Sequence, residues 1–160
     1  MRRVIKKADE TNLSKLGFDD QMGIGFRVFK LVESNFKPWN AQIPQNSAAL
    51  TKQLELHIDH IREGRSQRDI LYELLLKSGF PLTVPVETLN FAGKEIFSVA
   101  SGALFICLEN ELTVEVMRSM AAKKPERVVC LDAGFSGNDQ LKANAVQIFK
   151  SQGVPSFKTV

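Results

Sequence analysis

Apolar positions change their spacing along this chain, and each change marks an element. Phe26, Val28, Leu31 and Val32 alternate with Arg27 and Lys30, which predicts a strand over 26–32 just after Gly23-Ile24-Gly25. Pro38 marks the following stretch, Asn35–Asn40, as a loop. Leu50, Leu54, Ile58 and Ile61 then recur at helical spacing, with Ser47 as a cap and Gly64 as a stop. Ser66-Gln67-Arg68-Asp69 is an S-x-x-D capping box. It opens a second helix with Ile70, Leu71, Leu74 and Leu75 on its inner side and Gly79 beyond its end. The short link between them predicts an antiparallel or steeply crossed helical pair.

The second half reads differently. Val86–Phe91 and Glu95–Val99 flank Ala92-Gly93-Lys94, which predicts a β-hairpin. Leu104–Leu108 and Arg127–Leu131 are almost unbroken apolar runs, the pattern of strands covered on both faces. Between them, Thr113–Ala122 predicts a short helix that stops before Pro125. Ser136-Gly137-Asn138-Asp139 reads as another capping box, opening a helix whose stripe is Leu141, Ala145, Ile148 and Phe149. Gly153 closes that helix, and Pro155–Val160 returns as a strand. Strand–helix–strand–helix–strand is the signature of crossover connections. The expected class is therefore α/β: a mostly parallel or mixed sheet with helices on its faces, plus the hairpin and the helical pair in the N-terminal half.

Charge divides the chain unevenly. Residues 1–16 hold five basic groups (Arg2, Arg3, Lys6, Lys7 and Lys15) against Asp9 and Glu10, which accounts for the whole net charge of +3. Residues 17–160 hold sixteen basic and sixteen acidic groups, so this body shows no broad electropositive face, a weak argument against an autonomous DNA-binding module. The first sixteen residues read as a basic helix without an N-cap, either a frayed terminus or the continuation of an upstream domain, followed by one α/β domain over 17–160. At 160 residues and 44% apolar composition, that domain can build its own core without a disulfide or a metal. No apolar run reaches membrane-spanning length and no apolar leader follows the basic start. Two cysteines make no disulfide framework, so a reduced cytoplasmic setting is expected.

Candidate chemistry is sparse. Asp132 follows an apolar strand near Gly134 and Gly137, where open α/β sheets bind ligands, but a structural cap explains it more simply. Ser136-Gly137-Asn138 leads into a helix N-terminus, a possible anion site lacking both phosphate-loop patterns. His57 and His60 share a helix face without further zinc ligands. Cys107 and Cys130 sit in apolar strands as small hydrophobes. Trp39 is either a packed loop anchor or a contact for a partner.

The stretch Pro125–Lys150, with its Gly137-Asn138-Asp139-Gln140-Leu141-Lys142-Ala143-Asn144-Ala145 string, resembles the C-terminal tail of the modification (Mod) subunits of type III restriction–modification systems. Phe157-Lys158-Thr159-Val160 resembles the end of those subunits. Gly25–Leu31 with Ser34-Asn35-Phe36 resembles an earlier segment of the family, and Met1–Lys7 the helix after its cofactor-binding region. The family is similar to DNA adenine-N6 methyltransferases that carry D-P-P-Y and F-x-G-x-G motifs for catalysis and S-adenosylmethionine. Neither string occurs in this sequence. The resemblance thus implies a C-terminal fragment of the methyltransferase subunit, with no catalytic, cofactor-binding or metal-binding residue of its own. S-adenosylmethionine would belong to the whole parent protein.

Two roles follow as expectations. One is a non-catalytic assembly domain that joins a second modification subunit or seats the restriction subunit, with DNA bound by the whole complex. The other is an auxiliary DNA-backbone-binding module using Arg2, Arg3, Lys6 and Lys7, with Lys123, Lys124 and Arg127 as further cations. An independent small enzyme built on Asp132 and Asp139 is the least favoured alternative.

Overall fold

The computed structural model describes residues 28–38, 51 and 61–160. The chain divides into two units, Met1–Glu33 and Ser34–Val160, and of the first only residues 28–33 are described. In the second unit, helix α1 (Gln67–Lys77) is followed by strands β1 (Val86–Phe91), β2 (Lys94–Val99) and β3 (Leu104–Cys107). Helix α2 (Val114–Ala122), strand β4 (Arg127–Cys130), helix α3 (Asp139–Ser151) and strand β5 (Ser156–Thr159) complete it.

The five strands lie in the sheet in chain order. β1–β2 and β2–β3 are antiparallel, whereas β3–β4 and β4–β5 are parallel. The fold is therefore mixed α/β, with an antiparallel meander leading into two crossovers. The hairpin turn places Ala92 and Gly93 both in the left-handed region, at φ 50° and 81°, which matches the twist of its flanking strands. Lys94 pairs with Phe91, so it opens β2 and is not a turn residue.

β3 explains why its sequence is apolar throughout: all four residues are buried. Phe105 and Cys107 point to the face covered by α2 and α3, together with Val128 and Cys130 of β4. Leu104 and Ile106 point to the face covered by α1, together with Val129. Both crossovers step the same way across the sheet, so a constant hand places α2 and α3 on one side. Met117 and Met120 of α2 and Ala145 and Phe149 of α3 fill that side, and Ile70, Leu71, Leu74 and Leu75 of α1 fill the other. Each large side chain buried in this way contributes about 1.5–3 kcal/mol of transfer free energy.

Three local expectations are corrected. The alternating segment 26–32 was expected as a strand, but Val28–Val32 belongs to no strand. Val28, Leu31 and Val32 are 80%, 93% and 55% exposed. The helix expected to run to Gly64 does not include Ile61, which forms an antiparallel bridge with Phe36; Thr51 is helical, and residues 52–60 lie outside the described residues. The cap of α3 is Asn138, whose Oδ1 accepts the Leu141 N–H at 2.9 Å. Ser136 instead takes a left-handed conformation at the end of the 3-10 turn Asp132–Phe135, so its hydroxyl does not serve the α3 N-terminus. The Ser66 box is formed as expected, Ser66 Oγ accepting from Asp69 N and Asp69 Oδ2 accepting from Ser66 N.

Candidate functional site

The carboxyl ends of β3 and β4 are the first place to look for chemistry in such a sheet. Asp132 emerges there and its carboxylate accepts a hydrogen bond from the Lys142 ammonium of α3. Glu109, past the end of β3, pairs with Lys94 at 3.7 Å and accepts the Glu95 N–H at 3.3 Å. Each carboxylate is thus held by its own lysine. Between them the crevice is filled by backbone. Leu112 N donates to Gly134 O at 2.8 Å, and a Cβ on Gly134 would stand 2.5 Å from Glu109 O. Among the described residues, no group of three or more His, Cys, Asp or Glu is placed to hold a metal ion. Asp139 lies exposed in the first turn of α3, where a carboxylate complements the helix dipole. The Ser136–Asn138 turn spends its cap on Leu141.

Cys107 and Cys130 are register partners in the parallel β3–β4 pair, and both are fully buried. The neighbouring Cys107 thiol and burial push the Cys130 thiol well above its ordinary value.

Of the expected cations, Lys123, Lys124 and Arg127 lie among the described residues. Arg2, Arg3, Lys6 and Lys7 lie outside the described residues, as do His57, His60 and Trp39. Lys123 is the C-cap of α2, and Lys124 follows with φ 52°. Arg127 is engaged within the fold: its guanidinium donates to Ser78 O at 3.2 Å and stands 5.1 Å from the Phe80 ring centroid.

A concentration of positive charge appears elsewhere. The Phe36–Ile61 bridge and the Arg62 N–H donated to Asn35 O at 2.8 Å join two segments far apart in sequence. Together they form an open depression of about 590 Å³ whose described lining is Lys37, Arg62, Glu63, Gly64 and Arg65. The loop that carries Lys37 is fixed to α1. Glu73 accepts from Ser34 Oγ and from Asn35 N, both at 2.6 Å, and Asn35 Nδ2 donates to Asp69 O at 2.9 Å. Lys77 completes the attachment, paired with Glu73 at 2.8 Å and standing 4.4 Å from the Phe36 ring centroid. Burial alone would raise Glu73, but hydrogen bonds from Lys77, Ser34 and Asn35 outweigh it and hold the carboxyl below its ordinary value. Sequence reading missed this depression. Its one local signal was the run Ile61-Arg62-Glu63-Gly64-Arg65, and Lys37 joins it only through the bridge.

Among the described residues no helix is long and apolar enough to cross a membrane. No protein-family model matches the chain, and no curated protein is significantly similar to it.

Proposed function

We propose that this chain is the C-terminal, non-catalytic assembly domain of the modification subunit of a type III restriction–modification system. In this reading it joins the subunit to a second modification subunit, and the restriction subunit docks on the resulting complex. The observation that carries the reading is the segment Val28–Val32. It has the apolar, β-branched content of a strand, it belongs to none, and Val28, Leu31 and Val32 are open to solvent. An extended apolar segment of this kind gains its backbone partners and its burial by adding to the sheet edge of another chain. Methyl transfer and S-adenosylmethionine would belong to the parent protein's other domain. The complex would work on DNA in the cytoplasm.

Sedimentation velocity tests this directly. The chain should form dimers in the micromolar range, and Leu31→Asp should be monomeric with an unchanged urea midpoint. A parent chain that stays monomeric and does not bind a full-length modification subunit would refute the assembly role. Titration calorimetry with S-adenosylmethionine should give no binding heat, and micromolar binding would overturn the fragment reading.

One observation favours the second reading, an auxiliary DNA-backbone-binding module of the same enzyme: Lys37, Arg62 and Arg65 line a single depression.

A further inference from the structure

We propose that Cys107 and Cys130 are a redox-sensitive dithiol, which hydrogen peroxide converts to a disulfide between β3 and β4. The site goes beyond the proposed assembly role and does not rest on it.

Two observations place the sulfurs for this reaction. First, Cys107 and Cys130 are direct register partners, the last pair of the parallel β3–β4 ladder. Paired strands lie about 4.8 Å apart, and a disulfide joins Cα atoms roughly 4.4–6.8 Å apart, so the bond can close without a large backbone movement. Second, both are free thiols, and both belong to the core on the face covered by α2 and α3. Two sulfurs side by side on one face of a sheet can meet; on opposite faces they could not. Met117, Met120 and Phe149 share that core. Such apolar surroundings accept a neutral disulfide, whereas a pair of thiolates there would be costly.

The step balances on these two side chains and one peroxide. Cys107 and burial hold the Cys130 thiol well above its ordinary value, so Cys107 is the sulfur that ionises first. Its thiolate attacks one peroxide oxygen and the O–O bond breaks. The departing hydroxide takes up the Cys107 proton and leaves as water. The Cys130 sulfur then attacks the sulfenic sulfur of Cys107. The S–S bond forms, the S–O bond breaks, and the Cys130 proton leaves with the hydroxide as a second water. Both thiols are oxidised, and the peroxide is reduced to water. Both sulfurs are fully buried, so the oxidant must be small and neutral, as hydrogen peroxide is. A resolving thiol in the adjacent strand ends the reaction short of irreversible sulfinic acid.

The test treats the full chain with hydrogen peroxide under folding conditions and follows intact mass, thiol titration and circular dichroism. The chain should lose the mass of two hydrogen atoms and both titratable thiols, keep its folded spectrum, and regain the thiols with dithiothreitol. Joining residues 107 and 130 restrains the unfolded chain, so the oxidised form should have the higher urea midpoint. Cys107→Ser and Cys130→Ser should each abolish the loss of the hydrogen pair. Three outcomes overturn the proposal: thiols that survive a peroxide dose sufficient to oxidise the urea-unfolded chain, a disulfide that links separate chains, or an oxidised form with a lost folded spectrum or a lower urea midpoint. The first readings come from the unmodified chain, so a serine variant that fails to fold leaves them in force.

Discussion

Phe149 of α3 stacks on Phe157 of β5, with ring centroids 4.8 Å apart and planes 27° from parallel. Phe157 in turn meets Phe135 edge-on at 6.3 Å. Three aromatic rings therefore tie the last helix, the last strand and the 3-10 turn after β4 into one cluster. Phe149 is fully buried. Phe149→Ala should cost about 3–5 kcal/mol, from lost transfer free energy and the cavity left behind. Urea unfolding measures this. A parent-like curve would mean that residues 139–159 are not part of the cooperative unit.

The cap of α3 gives a second prediction, and it turns on which residue is the cap. Asn138→Ala removes the acceptor for Leu141 N and should cost about 1 kcal/mol. Asp139→Ala removes only a charge in the first turn and should cost about 0.3–1 kcal/mol or less in salt. Ser136→Gly should be neutral or slightly stabilising, since Ser136 holds φ 49° and glycine adopts that region without strain. Loss of stability with Ser136→Gly equal to that with Asn138→Ala would restore the S-x-x-D box.

A third prediction concerns acid. Glu73 is held below its ordinary value by the hydrogen bonds from Lys77, Ser34 and Asn35, which outweigh the opposing effect of burial. A carboxyl depressed in the folded state favours folding above its unfolded value of about 4.3. That contribution is lost as pH falls through the lower folded value. The urea midpoint should therefore drop on acidification through this window. Glu73→Gln should be less stable at neutral pH and should show a shallower drop. Equal pH profiles for the two proteins would show that the Glu73 attachments add nothing to folding.

Several of these features were legible in the sequence, for local reasons. The apolar runs around Phe105 and Val129 announced strands buried on both faces, because no polar residue interrupts either run. Ala92-Gly93 announced the hairpin, and Ser66 with Asp69 announced α1. What the sequence obscured was a matter of competition or distance. Ser136 and Asn138 both satisfy cap patterns at overlapping positions, and the 3-10 turn after β4 decides between them by twisting Ser136 into a left-handed conformation. The 26–32 segment carries strand chemistry, but alternation alone cannot say whether a partner lies in the same chain. Lys37 meets Arg62 and Arg65 only because Phe36 bridges Ile61. A charge count over residues 17–160 balances to zero and hides that meeting.

The sheet's spatial order has a consequence for the order of synthesis. Because the strands lie in chain order, α1 and the β1–β3 meander reach their neighbours as soon as they are made, through short connections that close quickly. The side of β3 bearing Phe105 and Cys107 is different. Its cover is α2 and α3, so a ribosome that has released residues only as far as β4 leaves that surface half open to water. Until residues 139–159 emerge, a nascent chain carries an oily face beside an unpaired strand edge at β4, the combination that attracts chaperones or other nascent chains. Ribosome-bound chains that have released residues through Cys130 should therefore bind a hydrophobic dye strongly, and chains that have released residues through Thr159 should not.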